Sequence, residues 1–199
     1  MNLKTRIEKK DLQDYPIKKF PGKAIVIDQL DQVAEAVAHL SKYKYIGFDT
    51  ESKPTFVKGK SNINKIALMQ LSSDENAYLF RINIIGMPIA LKELLENRNI
   101  LKIGSAVHGD INKIAELYKE GPFYPRGFVD IQTIAKKNGI ETVGLKNLIA
   151  ILFNFRISKK HQLTNWEAKE LSHGQINYAA MDAWACYKIY EDFIVRDMI

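Results

Sequence analysis

The order of its apolar runs is the feature that most constrains what this chain can fold into. Three strand-like runs follow one another at residues 45–50, 66–71 and 77–82, and this order favours an antiparallel meander. Helical patterns and short apolar runs then alternate through the rest of the sequence. We therefore predict an α/β or α+β fold in which a central mixed β-sheet, led by three antiparallel strands, is flanked by helices.

The spacing of apolar residues also locates the helices. The predicted helices span residues 29–42, 88–97, 109–120, 131–138, 144–153 and 174–194, and two further short strands span 100–103 and 127–130. Capping-box sequences at 164–167 (TNWE) and 172–175 (SHGQ) predict two helix starts, of which the second opens the last helix. The first strand is not followed by a Gly-rich turn and a helix, which disfavours a simple Rossmann fold.

Composition places the chain among globular proteins. With 199 residues, 46% of them hydrophobic and 26% charged, it is long enough for one domain with its own core. The single cysteine, Cys186, excludes a disulfide framework. An apolar run of about 18 residues and a signal peptide are both missing, so we expect an intracellular, cytoplasmic protein without membrane contact. Nothing in the sequence indicates an oligomeric state.

The formal net charge is +6, and most of the surplus lies near the N-terminus. Residues 1–23 carry seven basic and three acidic side chains. We therefore expect a basic N-terminal extension over 1–22 and a single domain over 23–199. The extension is either a solvated tail or an arm that touches phosphates.

Two acids close the first strand-like run, in the stretch YIGFDTES. Asp49 and Glu51 are two residues apart, so in a strand their side chains point to the same face. Like charges side by side raise each other's pKa and destabilise the fold. Either both carboxylates reach solvent at the end of the strand, or a hard divalent cation such as Mg²⁺ or Mn²⁺ binds between them.

A third acid, Asp182, lies in the apolar half of the last predicted helix, close to its edge. A buried carboxylate needs a partner, and the candidates are an arginine, backbone amides or a metal shared with Asp49. Tyr178 precedes it by one turn on the same stripe and is most simply a core tyrosine. Asp110 falls in the first turn of another predicted helix, where an acid is favourable against the helix dipole even without a metal.

These residues lie in three short motifs, FDTES at 48–52, VHGD at 107–110 and YAAMDA at 178–183. In this order, and with stretches such as GKSNINKIALMQLSS, FVDIQTIAKKNGI and ISKKHQLTNWEAKELS between them, they resemble the DEDD superfamily of 3′–5′ exonucleases. The Tyr-x-x-x-Asp spacing is that of the tyrosine subclass. The similarity covers residues from about 24 to 194 and points to the group that contains the Werner syndrome helicase exonuclease domain and ribonuclease D. The second motif lacks the Asn and aromatic flanks of proofreading polymerases.

The resemblance implies a ribonuclease H-like fold and an enzyme that hydrolyses phosphodiester bonds from the free 3′ end of nucleic acid, with DNA favoured over RNA. It also implies two divalent ions, Mg²⁺ or Mn²⁺, held by Asp49, Glu51, Asp110 and Asp182. Tyr178 would orient the attacking water or help to deprotonate it, and nucleoside 5′-monophosphates would be released. The alternative is a catalytically silent nucleic-acid-binding or interaction module of the same fold, which the filled catalytic positions disfavour.

Basic residues close to these motifs are candidates for sequence-independent contacts with phosphates. They lie in a loop at 53–65, after the acidic strand, and in the stretch RISKKHQ at 156–162. The candidate nucleic-acid-binding residues are Lys53, Lys58, Lys60, Lys159, Lys160 and Trp166. For the lysines the alternative is a solvated surface, whereas Trp166 would either stack on a base or pack on its own helix.

Overall fold

A mixed six-stranded sheet forms the centre of the protein in the computed structural model, which describes residues 3–54, 65–118 and 121–199. The strands are β1 Lys23–Ile27, β2 Tyr45–Ser52, β3 Ile66–Ser72, β4 Asn76–Phe80, β5 Leu101–Gly104 and β6 Phe128–Asp130. They are ordered β1-β4-β3-β2-β5-β6 across the sheet. β2, β3 and β4 are antiparallel neighbours, whereas β1 pairs parallel with β4, β5 with β2, and β6 with β5. The predicted mixed sheet led by three antiparallel strands is confirmed.

Strand β1 was not predicted from the sequence. Its apolar run, KAIVI, is so short that the spacing of its residues does not distinguish a strand from a loop or a helix. It becomes a strand by pairing with β4, where Lys23 lies opposite Asn76 and Ile27 opposite Phe80. Long-range pairing therefore defines this edge of the sheet.

Seven helices surround the sheet in the described part of the chain. They are α1 Asp31–Leu40, α2 Ile82–Ile85, α3 Ile89–Glu96, α4 His108–Leu117, α5 Ile131–Lys137, α6 Leu145–Phe153 and α7 His173–Val195, and a short 3-10 helix spans Asp11–Asp14. The six predicted helices are confirmed as α1 and α3 to α7. The capping box at Ser172 and Gln175 is present at the start of α7. Across the described ranges, no helix has the length and apolar character needed to span a membrane.

The helix start predicted at 164–167 is wrong. The Thr164 hydroxyl donates to the His161 carbonyl (2.7 Å), and the side-chain oxygen of Asn165 accepts from the Glu167 N–H (3.1 Å). These local bonds form turns in place of a helix cap, because Asn and Thr side chains compete with the helix for backbone partners. The segment between α6 and α7 therefore runs as a series of turns.

Each face of the sheet carries its own core. β4 shows the division, since Ala77 and Leu79 face one side and Tyr78 and Phe80 the other. Helices α1, α3 and α4 cover the face of Phe80, and α5, α6 and α7 cover the face of Leu79. The long helix α7 thus lies directly on the strands that carry the predicted acids.

The N-terminal segment before β1 packs against the α7 side of the domain. Ile7 and Phe20 are each 7% exposed and belong to the core on that side. The Glu141 N–H donates to the Thr5 carbonyl (2.7 Å). Residue Ile17 forms a parallel bridge with Arg156. The division of the chain into an extension over 1–22 and a domain over 23–199 stays a prediction.

Lys102 on β5 is a fully buried cation that binds three backbone carbonyls. Its Nζ donates to the carbonyl oxygens of Ile100 and Asn97 (both 2.7 Å) and of Leu94 (3.4 Å). It also lies 5.4 Å from the centre of the Phe128 ring. The lysine therefore fixes the end of α3 against the sheet, with all its ammonium protons used.

Replacing Lys102 by methionine is expected to lower the free energy of unfolding by about 2–4 kcal/mol, because buried carbonyls lose their donor. For a chain of this length the melting temperature should fall by about 5–15 °C. Differential scanning calorimetry measures the change, with Lys136→Met, at an exposed lysine of α5, as the control that should leave the melting temperature unaltered. A Lys102→Met protein as stable as the wild type would contradict the structural role of this lysine.

Candidate active site

A glycine lets α7 pack closely on β2. A Cβ atom on Gly47 would lie 1.9 Å from the carbonyl oxygen of Ala183, so a larger residue would push the helix off the strand. Asp49 lies two residues further along β2 and points to the same face. Asp182 directly precedes Ala183 on α7. The contact between glycine and helix therefore brings the carboxylates of Asp49 and Asp182 together.

Three carboxylates meet at this point. Oxygen atoms of Asp49, Glu51 and Asp182 lie within 4.8 Å of one another. We call these three residues the carboxylate triad. Asp182 is only 5% exposed, and its Oδ1 has no hydrogen-bond partner among the residues that the structure describes. The expected same-face placement of the β2 acids and the inward position of Asp182 are both present.

Asp110 stands beside the carboxylate triad. It lies in the first turn of α4, and its Oδ1 accepts a hydrogen bond from the Thr50 hydroxyl (2.6 Å). Burial raises its own pKa, and its charge contributes to the raised pKa values of Asp49 and Glu51. The fourth carboxylate is therefore electrostatically part of the site and is held there by a residue of β2.

Burial raises the pKa of each carboxyl group of the triad, and repulsion by neighbouring carboxylates raises it further at Asp49 and Glu51. The pKa of Asp49 lies well above its usual range, first through burial and then through the charges of Asp182 and Glu51. The same causes, burial and then Asp182, raise the pKa of Glu51 to about 8. Burial raises the pKa of Asp182 to about 6, against the opposing effects of the Tyr178 hydroxyl and Lys146. Without a bound cation, Glu51 therefore keeps its proton at neutral pH, and Asp182 takes one up as the pH falls through about 6.

Tyr178 lies beside Asp182 and is 7% exposed. Its ring packs against that of Trp166, with 6.0 Å between the ring centres. Burial, followed by the charge of Asp182, raises the pKa of the Tyr178 hydroxyl. The hydroxyl consequently keeps its proton at neutral pH and can donate a hydrogen bond.

The donor set of the site fits divalent metal ions. Carboxylate oxygens are the ligands that Mg²⁺ and Mn²⁺ prefer. A partly buried cluster of carboxyl groups must either take up protons or bind a compensating cation. Within the described ranges, no lysine, arginine or histidine forms an ion pair with any carboxylate of the triad. The Oδ1 atom of Asp182, which has no hydrogen-bond partner among the described residues, could therefore coordinate a divalent ion.

Two cavities meet at Tyr178 and Asp182, which line both. The first, of about 300 Å³, is bordered by Ile17 to Lys19 of the N-terminal segment and by the start of α7. The second, of about 240 Å³, is bordered by the start of α6 together with Lys159 and Gln162. A ligand in either cavity would contact Tyr178 and Asp182, the member of the carboxylate triad that lines both.

The predicted phosphate-binding lysines have different surroundings. Lys159 is exposed and lines the second cavity, whereas Lys160 is exposed and lines neither of the two cavities. Lys53 forms an exposed ion pair with Glu167 (3.2 Å). Lys58 and Lys60 lie outside the described residues. Of the three lysines that the structure describes, Lys159 is thus the one that lies at the site.

The proposed stacking of Trp166 on a base is wrong for this conformation. The indole is 0% exposed and packs against Tyr178 in the core, so no face of the ring is open to a ligand. The predicted alternative, packing on its own helix, also fails, because the residue lies in the turns before α7. Burial of its large apolar surface explains the position, and its role is to support Tyr178.

Three side chains around the triad were not predicted from the sequence. These are Thr50, Gln70 and Lys146. Gln70 lies opposite Asp49 in the β2–β3 register, and both its buried amide atoms lack partners in the described part of the chain. Lys146 lies in the first turn of α6, and its Nζ is buried. Both carried a signal: a glutamine within an apolar strand is costly to bury, and a lysine in the first turn opposes the helix dipole.

Comparison with known proteins gives the family. The model of the family described as 3′–5′ exonuclease matches residues 24–195. The chain therefore belongs to the 3′–5′ exonuclease family, as the three motifs predicted.

Individual relatives agree with this assignment. Exonuclease 3′–5′ domain-containing protein 2 of Drosophila melanogaster is 32% identical over 164 residues, and the match covers 80% of this chain and 27% of that protein. The bifunctional 3′–5′ exonuclease/ATP-dependent helicase WRN of Mus musculus is 31% identical over 199 residues, with 94% of this chain and 14% of that protein covered. The chain thus corresponds to less than a third of the length of either relative.

A solved structure shows the same fold. Ribonuclease D of Escherichia coli superposes with a TM-score of 0.75 at 24% sequence identity, over 86% of this chain and 44% of that one. The predicted ribonuclease H-like fold is confirmed, as is the predicted similarity to the Werner-type and ribonuclease D group.

Proposed function

We propose that this chain is a metal-dependent 3′–5′ exonuclease that hydrolyses phosphodiester bonds from the free 3′ end of a nucleic acid. The observation that carries the proposal is the carboxylate triad beside Tyr178, whose buried member Asp182 lines two cavities. Family membership supports the same activity. The preference for DNA rests on the resemblance to the Werner-type group, and RNA is the competing substrate.

The carboxylates would hold two divalent ions, Mg²⁺ or Mn²⁺. Asp49, Glu51 and Asp182 would supply ligands to one ion, and Asp110, next to the triad, would help to hold the second. Four carboxylates carry a charge that two divalent ions offset. When bound, such ions lower the pKa of a water molecule and stabilise negative charge on the phosphate.

The protein's own groups position the reactants. The Tyr178 hydroxyl lies beside Asp182 and keeps its proton. It would therefore form a hydrogen bond with the attacking water and orient it. Attack forms a bond from the water oxygen to phosphorus and breaks the bond from phosphorus to the 3′ oxygen of the preceding nucleotide. The water proton ends on that 3′ oxygen, and a nucleoside 5′-monophosphate is released. No covalent enzyme intermediate is required.

The two cavities suggest how the 3′ end is held. The first contains the apolar side chains of Ile17, Ile157 and Met181 and would accept the terminal nucleoside. The second contains Lys159, which would contact a phosphate of the strand. Contacts of this type do not depend on base sequence.

A panel of labelled substrates tests the proposal. Single-stranded DNA, recessed duplex DNA and structured RNA, each labelled at the 5′ end, are incubated with Mg²⁺ or Mn²⁺. We expect ladders of stepwise shortening and nucleoside 5′-monophosphate as product, with no cleavage of circular single strands, which lack a 3′ end. If none of the substrates is shortened, the result would support the catalytically silent binding module. Faster shortening of RNA than of DNA would overturn the DNA preference.

Replacing Tyr178 by phenylalanine is expected to lower kcat about 100-fold, because only the group that positions the attacking water is lost. The KM should change little, since the ring and its packing on Trp166 remain. Single-turnover kinetics measure the effect. Tyr190→Phe, at a buried tyrosine on the same helix that packs against Tyr45, is the matched control and should retain activity. Equal rates for the two variants would rule out the positioning role.

A further inference from the structure

Two lysines of this protein have buried ammonium groups that differ in their hydrogen bonds. The Nζ of Lys102 donates to three backbone carbonyls. The Nζ of Lys146 is also buried, yet it has no hydrogen-bond partner among the described residues. A buried ammonium without acceptors is costly, so Lys146 lacks the structural explanation that accounts for Lys102.

The surroundings of Lys146 are those of the proposed active site. The residue lies in the first turn of α6 and lines the second cavity together with Tyr178 and Asp182. Its Nζ lies 5.9 Å from the centre of the Tyr178 ring. Its charge acts on the carboxyl groups of Asp182 and Glu51. No carboxylate of the described residues lies within ion-pair distance of it.

The position of Lys146 is fixed by packing. Behind it, α6 buries an unbroken run of apolar side chains, from Leu148 to Leu152, in the core on the α7 side. A lysine in the first turn is unfavourable against the helix dipole. The fold therefore holds a cation close to the triad in an arrangement that local stability does not favour and that leaves its donors unused.

We propose that Lys146 binds a non-bridging oxygen of the phosphodiester group that is cleaved. The proposal rests on the proposed exonuclease function and adds a residue to it. An anionic phosphate in the second cavity would supply the acceptor that the buried ammonium lacks. Once divalent ions offset the carboxylates, the charge of Lys146 is available for the additional negative charge that the substrate brings. Charge-assisted hydrogen bonds of this kind are the strong ones.

The alternative role is charge balance, in which Lys146 only screens the carboxylates. The two roles predict different responses to Lys146→Met. Loss of a screening charge strengthens metal binding and leaves phosphate binding intact. Loss of a phosphate ligand weakens phosphate binding, whatever happens to the metal.

The experiment measures binding and catalysis separately on the full chain. Isothermal titration calorimetry gives the affinity for Mn²⁺ alone and then for adenosine 5′-monophosphate in saturating Mn²⁺. We expect Lys146→Met to weaken nucleotide binding about 10-fold or more, as for loss of a hydrogen bond to a charged group, with Mn²⁺ binding equal or tighter. The kcat on a single-stranded substrate should fall by a similar factor or more. Lys146→Arg, which keeps the charge, should recover part of both, and Lys136→Met should match the wild type.

The outcomes separate this proposal from the exonuclease function. If the wild type shortens its substrate and Lys146→Met binds the nucleotide and turns over as the wild type does, the role of Lys146 is overturned and the enzyme function stands. Unchanged nucleotide affinity with tighter Mn²⁺ binding would also overturn it, in favour of charge balance. If the wild type shortens no substrate, the exonuclease function fails, while weaker nucleotide binding by Lys146→Met would still support the phosphate contact.

Discussion

Replacing Asp49 by asparagine is expected to abolish exonuclease activity while making the metal-free protein more stable. Activity should fall about 1,000-fold or more, because a ligand to the metal contributes several kcal/mol to the transition state. Stability at neutral pH should rise by roughly 1–3 kcal/mol, since asparagine folds without the cost of either protonating the carboxyl group or burying its charge beside Glu51 and Asp182. The corresponding rise in melting temperature is about 3–10 °C. Single-turnover assays and calorimetry in the presence of a chelator measure the two effects.

The matched control for Asp49→Asn is Asp197→Asn. Asp197 is exposed and adopts a left-handed backbone conformation (φ 57°), which asparagine also adopts readily. This variant should change neither activity nor stability. An Asp49→Asn protein that retains wild-type activity would overturn the proposed metal site. One that loses activity together with stability would indicate a structural role for Asp49 instead.

The second large effect concerns pH. Glu51 has a pKa of about 8 and Asp182 of about 6, and the pKa of Asp49 is also raised. Between the ordinary carboxyl pKa, about 4, and these values, the folded protein holds protons that the unfolded chain has released. Stability of the metal-free protein should therefore fall as pH rises from about 4 to 8. The fall should be smaller in Asp49→Asn, in which the remaining acids repel less.

Divalent metal should reverse this dependence. Bound ions stabilise only the folded protein, by about 2.7 kcal/mol at a 100-fold excess over Kd, and protons compete with them for the carboxylates. The rise in melting temperature on adding Mn²⁺ should thus be larger at pH 8 than at pH 5.5. Thermal melts at both pH values, with and without Mn²⁺ at constant ionic strength, measure it. The same shift at both pH values, or in Asp49→Asn, would contradict a metal site built on the triad.

Local signals predicted most of the fold. The meander of β2, β3 and β4 and six of the helices followed from periodicities of two and of about 3.6 residues, which are properties of the backbone itself. Strand β1 was not predicted, because only its pairing with β4 defines it as a strand. No helix begins at 164–167, although the sequence there fits a capping box, because local hydrogen bonds and packing in the core prevail over it. There, Thr164 bonds back to His161 while the indole of Trp166 enters the core.

The site shows the same division. That Asp49 and Glu51 share a face, and that Asp182 points inward, could be derived from the sequence. Their meeting was implied only by the family resemblance and could not be derived from periodicity, because it depends on the close contact of Gly47 with Ala183, which are far apart in the chain. Gln70 and Lys146 were missed for a related reason. Each looks like an isolated polar residue in an apolar segment until the sheet register and the packing of α6 place it beside the carboxylates.

By itself, the sequence determined which side chains share a face of a strand or a helix. Its three motifs also determined the family. The tertiary structure decided which faces meet, that Trp166 supports Tyr178 from within the core, and that one buried lysine has its acceptors while another lacks them. The physical reason is that periodicity is local, whereas burial and charge depend on every element that packs around a residue. The two acids at the end of β2 could therefore be identified from the sequence, but Lys146, which lines a cavity together with Asp182, could not.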